Sequence, residues 1–378
     1  MYGVADYGRM LADRVRVDAY TRALAAVIQP SSVVVDLGAG TGAFSLVACQ
    51  LGARKVYAIE PNDAVTLLPA LARRNGFADR VVVIQRASTE VTLPEKADVI
   101  VADLRGVVPL YEGNFPVVAD ARARFLAEGG VVIPAQDRLA AALMDASDLY
   151  RSIVGGWEGL PVDFTEARLS VVNTFHNDRR HPLEREQLLS EPSTWATLDY
   201  GASLPELVTG TMEREIAREG TAHGIGVWFD TTLHGDIGYS GAPSEDRVYG
   251  RAFLPLERPT KVQRGDRARI TLSARRGADD HLWMWAVRVD RGDMTVIDTR
   301  QSTFLGDAVH ASTLTKESTS HLPLAGARGR AVGAMLAAMG GTKSVGAIAT
   351  EVHAAHPGAF ASPDEALQTM RRLVRKYA

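Results

Sequence analysis

Apolar and polar positions along this chain fall into three successive rhythms. From about Met10 to Ala142, short apolar runs at Val33–Leu37, Val56–Glu60, Val81–Gln85, Val99–Ala102 and Val131–Pro134 alternate with helical stretches. Unbroken runs suit strands buried on both faces, and their alternation with helices predicts a doubly wound, mostly parallel sheet of the α/β class. After Pro134 the runs become shorter and alternating, at Arg138–Met144, Gly224–Leu233, Ala268–Ser273 and His281–Val289, with Gly, Asp and Pro between them. That texture predicts an antiparallel barrel or sandwich, in which Trp283 and Trp285, two apart, face the core. Trp157 to Tyr200 is polar and mixed, with Asn177-Asp178-Arg179-Arg180-His181-Pro182 its most exposed part, and reads as an excursion that meets a second subunit. From Arg328 to Ala378 the helical period returns. Val332, Met335, Leu336 and Met339 share a face, Ser344 caps a helix carrying Val345, Ile348 and Val352, and Ser362-Pro363-Asp364-Glu365 opens a third helix through Leu367, Met370, Leu373 and Val374. The expected divisions are 1–135, 136–310 and 311–378.

The first strand delivers Asp36-Leu37-Gly38-Ala39-Gly40-Thr41-Gly42, and the second ends in Ile59-Glu60. Glycines allow φ > 0 and close approach of backbone to a ligand, while an acid at the end of the second strand can take both hydroxyls of a ribose. Gly-x-Gly-x-Gly with an acid two residues upstream differs from the Gly-x-Gly-x-x-Gly of NAD enzymes and fits S-adenosylmethionine better. A turn without a ligand rarely needs three glycines. The pattern therefore reads as a class I methyltransferase.

Composition narrows the field. The chain has 378 residues, 46% of them apolar, enough for two or three cores. No apolar run approaches the ~20 residues that span a bilayer, and the N-terminus lacks a secretory pattern, so the expected location is the cytoplasm. Cys49 is the single cysteine, which rules out a disulfide framework or thiolate cluster and points to buried packing. His176, His181 and His223 have no metal-ligand spacing, so no metal is expected. A net charge of −3 argues against a general grip on nucleic acid.

Methyl transfer to nitrogen needs a site that holds a polar or cationic amine in line with the donor. Asp103 to Glu112 begins where the fourth strand ends and sets two acids nine residues apart around a loop. Two acids facing one cavity would pin a positive group; alternatively Asp103 caps the following helix and Glu112 is solvated. At these positions the chain resembles the protein arginine methyltransferase family, over most of residues 7 to about 290. Met10-Leu11-Ala12-Asp13-Arg14-Val15-Arg16-Val17-Asp18-Ala19-Tyr20 is similar to the family's N-terminal helix, where Tyr7 would sit over the cofactor. The resemblance implies a Rossmann-like domain, a β-barrel with a dimerisation excursion, and S-adenosylmethionine turning into S-adenosylhomocysteine. It assigns Arg16 to the cofactor carboxylate, Asp36, Gly38, Ala39 and Gly40 to the glycine motif, Glu60 to the ribose, and Thr89 and Glu90 to the adenine. Asp103 and Glu112 correspond to its paired acids. His223-Gly224, Trp228-Phe229-Asp230 and Ser240-Gly241-Ala242-Pro243 resemble landmarks of its barrel.

The departures lie at the acceptor end. The family's first glutamate is Asp103 here, one methylene shorter; its Thr-His-Trp triplet is Arg247-Val248-Tyr249; and Arg105 replaces an apolar residue. Bidentate capture of a guanidinium tolerates little displacement, so these changes predict another acceptor. Residues 311–378 look like the winged helix-turn-helix of PqqD-like leader-peptide recognition elements, with a plain helical cap or a DNA-binding unit as alternatives. The expectation is an N-methyltransferase acting on an amine of a ribosomally made peptide, a pattern that daptide-type methyltransferases would fit, with catalysis by Asp103 and Glu112 in a homodimer. Its rivals are an arginine methyltransferase of cellular proteins and a non-catalytic protein binding peptide or DNA.

Overall fold

The computed structural model describes residues 2–110, 114–203, 205–277, 280–307 and 311–378. It divides into two compact units, Met1–Ala308 and Val309–Ala378. The first unit opens with α1 (Val4–Ala12) and α2 (Arg14–Val27). It continues through β1 (Val33–Leu37), α3 (Ala43–Gln50), β2 (Lys55–Ile59), α4 (Leu68–Arg74), β3 (Val81–Ile84), β4 (Ala97–Ala102), α5 (Asn114–Phe125) and β5 (Leu126–Ile133). The five strands form a sheet in the order β3-β2-β1-β4-β5, every pairing parallel. All five residues of β1 are buried, as a strand covered by helices on both faces requires. β5 starts five residues earlier than the apolar run at Val131, because exposed Glu128 and Gly129 interrupt the pattern without ending the pairing.

The chain then enters antiparallel structure: β6 (Gln136–Met144), β7 (Ser193–Asp199), β8 (Leu207–Glu215), β9 (Gly220–His234), β10 (Ile237–Ser240), β11 (Ala252–Val262), β12 (Arg267–Arg276), β13 (His281–Arg291) and β14 (Met294–Ser302). One sheet runs β10-β9-β6-β7, with β11 also on β9; the other runs β14-β13-β12-β8. Burial alternates along β12 and β13, so each presents one face to the core. Trp283 and Trp285 are on that face, and Trp195 of β7 meets Trp283 edge-on at 5.9 Å between ring centroids. Helix α6 (Ser147–Val154) leads into the excursion and α7 (Thr165–Val172) lies within it, where Trp157, Leu160, Val162 and Phe164 stay exposed.

The second unit contains α8 (Ala311–Glu317), α9 (Ala327–Ala337), α10 (Val345–Ala355) and α11 (Pro363–Tyr377). Ser344 and Ser362 cap α10 and α11 by accepting from Ala347 N and Glu365 N. Among its described residues there is no strand, so the wing expected from the sequence is missing there. On α9 Met335 is fully buried as expected, but Ala331 joins it and Leu336 is 38% exposed, because the buried stripe runs through Ala331, Met335 and Ala338. Met335→Ala is expected to destabilise this unit by about 2–5 kcal/mol and Leu336→Ala by less than about 0.5 kcal/mol, read by hydrogen exchange in α10 and α11.

Candidate functional site

Asp36, the glycine turn, Glu60 and Asp103 lie at or just beyond the carboxyl ends of β1, β2 and β4, where ligands bind in open α/β sheets. Gly38 and Gly40 follow β1 with φ of 74° and 54°. Their chain is stitched to β2, since Gly38 N donates to Ile59 O at 2.9 Å and Gly40 N to Glu60 Oε2 at 2.9 Å. Glu60 accepts from Asn62 N through its other oxygen at 2.8 Å, which fixes the carboxylate at the strand end. A side chain at Gly38 or Gly40 is barred twice: by the left-handed backbone, and because a Cβ would fall 2.1 Å from Leu104 or 2.4 Å from the Tyr7 ring. Leu104 and Tyr7 therefore cover the turn, the latter from α1. Burial first and the Glu60 charge second push the Tyr7 hydroxyl up to about 12. Thr89 and Glu90 are exposed on a single 3-10 turn, Ser88–Glu90, after β3.

Asp36, 3% exposed, accepts from Ser45 Oγ at 2.6 Å. Burial pushes its carboxyl up to about 6 against that hydrogen bond, with the Glu60 and Asp103 charges adding.

The acceptor side is organised around Asp103, just past β4. Arg16, 3% exposed on α2, donates to Asp103 Oδ2 and to Met10 O. On Oδ1, Asp103 accepts from the Tyr249 hydroxyl and, at 3.3 Å, from Arg105 Nη2. Arg105 is 6% exposed and is the hub of the cluster. Its Nη1 donates to Asp137 Oδ1 at 2.8 Å and to Thr231 Oγ1 at 2.6 Å, and its Nη2 donates to Tyr20 and Tyr239 hydroxyls. The rings of Tyr20, Phe229, Tyr239 and Tyr249 surround the guanidinium with centroids 5.3–5.7 Å from Cζ. Asp137, wholly buried at the start of β6, also accepts from Tyr200 at 2.7 Å. Burial alone would raise the Asp103 carboxyl, but Arg16 and then Arg105 hold it below the usual carboxylate range. Asp103 therefore stays ionised at neutral pH, and 13% of its side chain remains exposed.

The structure thus brings together Arg16, Asp36, Gly38, Ala39, Gly40, Glu60 and Asp103, and the first of the two acids does not simply cap a helix. Glu112 lies outside the described residues. Sequence reasoning noted Arg105 only as a replacement and missed Asp137, Thr231, Tyr20 and Tyr239. The available signal was an acid at the head of the β6 run, Asp137, and a cation, Arg105, three residues past β4. Among the described residues no His, Cys, Asp or Glu cluster suits a metal, and no described helix is long and apolar enough to cross a membrane.

The donor set suits an adenosyl amino acid. Arg16 is a buried cation whose Nε has no partner, Glu60 offers a fixed carboxylate, and the glycine turn leaves room only for backbone.

Comparison with known proteins places this geometry among methyltransferases. Residues 20–111 match the family model of ribosomal protein L11 methyltransferase (PrmA). Protein arginine N-methyltransferase PRMT10 of Oryza sativa subsp. japonica is 30% identical over 312 residues, covering 73% of this chain and 82% of the rice protein. The probable protein arginine N-methyltransferase 6.1 of the same rice is 30% identical over 233 residues, and the alignment spans 60% of each chain. Among solved structures, the Trypanosoma brucei PRMT1 enzyme-prozyme heterotetrameric complex with AdoHcy has a TM-score of 0.72 at 22% identity, covering 80% of this chain and 98% of that one. Arabidopsis thaliana protein arginine methyltransferase 10, in an open conformation, has a TM-score of 0.69 at 22% identity, covering 79% and 97%.

Because Asp36 binds its proton more tightly when folded, its contribution to stability is complete below about pH 4 and lost as the pH rises through about 6. Between pH 4 and 7 the wild type should lose about 3 kcal/mol relative to Asp36→Asn, at about 1.4 kcal/mol per pH unit of difference. Urea denaturation at each pH measures this, and parallel profiles would contradict it.

Proposed function

The chain belongs to the protein arginine N-methyltransferase family, and from that premise we propose that it transfers a methyl group from S-adenosylmethionine to an arginine nitrogen of a protein or peptide. The observation that carries the reading is the meeting of a glycine turn, a ribose-type acid and a buried arginine with an ionised acid at one sheet edge. In this reading Gly38, Ala39 and Gly40 present backbone to the cofactor, Asp36 supports the turn, Glu60 takes the ribose, Arg16 the carboxylate, and Thr89 and Glu90 the adenine. When bound, the cofactor supplies a methyl group activated by a sulfonium sulfur. Asp103 binds and orients the acceptor nitrogen. Held below the usual carboxylate range, it is a weak base at neutral pH, so it fixes a lone-pair direction rather than collecting the proton. Glu112 is assigned the second acid. A homodimer belongs to the same proposal and is supported by the exposed apolar residues Trp157, Leu160, Val162 and Phe164.

One observation favours a second acceptor, a primary amine of a peptide: Asp103 already receives Arg16, Arg105 and Tyr249. The leader-binding role expected for residues 311–378, and with it the ribosomal-peptide acceptor, lacks support, since that unit has no strand and so no wing among its described residues.

Arginine-containing and amine-only peptides incubated with enzyme and S-adenosylmethionine, followed by fragmentation mass spectrometry, test the proposal. The expected gain of methyl is at guanidinium nitrogen. Methylation of a primary amine alone would install the second reading, and no methylation of either would overturn both. Gly40→Ala should weaken S-adenosylhomocysteine binding by at least about tenfold in calorimetry.

A further inference from the structure

Asp103 is the described acid at the acceptor end, and its hydrogen-bonding capacity is nearly used up inside the protein. An ionised carboxylate offers about four lone-pair positions. Tyr249 takes one on Oδ1 and Arg16 one on Oδ2, while Arg105 Nη2, whose two hydrogens also serve Tyr20 and Tyr239, occupies the second place on Oδ1 through a shared contact at 3.3 Å. A guanidinium fork needs two parallel N–H bonds, one on each oxygen. Neither Tyr249 nor Arg105 is free to leave. The Tyr249 ring is 9% exposed and packs against Phe229 and Tyr239, while Arg105 is tied to Asp137, Thr231, Tyr20 and Tyr239. Asp137 is wholly buried and needs that cation, because a buried carboxylate stripped of its partner is strongly destabilising.

We infer that Arg105 and Tyr249 are specificity determinants: by filling Oδ1 of Asp103 they leave this carboxylate about one acceptor position, so that it engages the acceptor through a single N–H instead of a two-pronged fork. The inference rests on the proposed methyl transfer for the place of the acceptor, and it concerns how that acceptor is held. A guanidinium keeps only part of the attraction that a free carboxylate would give it, whereas an alkylammonium, with its rotatable donors, loses little. Both residues are positioning residues that act through Asp103.

The experiment compares binding of two peptides that differ only in a central Arg or Lys, titrated calorimetrically into full-length protein saturated with S-adenosylhomocysteine. Tyr249→Phe removes one donor and keeps the ring packing. Arg105→Met with Asp137→Asn removes the other donor without stranding a buried charge, and serves if the first variant does not fold. In either variant the preference for the Arg peptide over the Lys peptide should rise about tenfold over wild type, as expected for an additional hydrogen bond to a charged group. An unchanged ratio in both variants overturns the inference, even in an enzyme that methylates. The ratio comes from binding and the reaction from turnover, so failure of one is distinguishable from failure of the other.

Discussion

Everything at the acceptor end depends on one buried guanidinium shared between two carboxylates. Arg105 joins Asp103, at the tip of the parallel sheet, to Asp137, at the entrance to the antiparallel sheets. With Arg16 the cluster holds two arginines and two aspartates, so its charge balances. Desolvating four charges is costly, and the arrangement persists because nearly every donor and acceptor is satisfied by a hydroxyl, carbonyl or opposite charge. The same interactions that position Asp103 determine how much of it a ligand can use. Architecture and selectivity are set by one network.

The cofactor end follows a different logic. There the backbone does most of the work: left-handed Gly38 and Gly40, pinned to Ile59 and Glu60, leave a surface that side chains cannot enter. Such a site depends on few side chains.

Much of this was legible in the sequence where local rules govern. The five strand runs of the parallel sheet, the glycine turn, the acid closing β2 and the serine caps of α10 and α11 each depend on a few neighbouring residues. What was not legible depends on long-range partners. Arg105 stood out only as a cation in place of an apolar residue, since nothing near it in sequence announces Asp137, Thr231 or Tyr239, which lie 32, 126 and 134 residues away. Met335 is core as periodicity predicts, but Leu336 is not, because the buried stripe of α9 runs through Ala331, Met335 and Ala338 and leaves Leu336 to one side. The missing wing was an inference from likeness of helices alone, which pattern within the helices had no means to test.

The most direct test of the central claim is a crystal structure of the protein with S-adenosylhomocysteine and an acceptor peptide. The account predicts Arg105 still bridging Asp103 and Asp137, Tyr249 still on Asp103, and one acceptor N–H reaching that carboxylate. An Arg105 swung away from Asp103, with a guanidinium fork in its place, would contradict it.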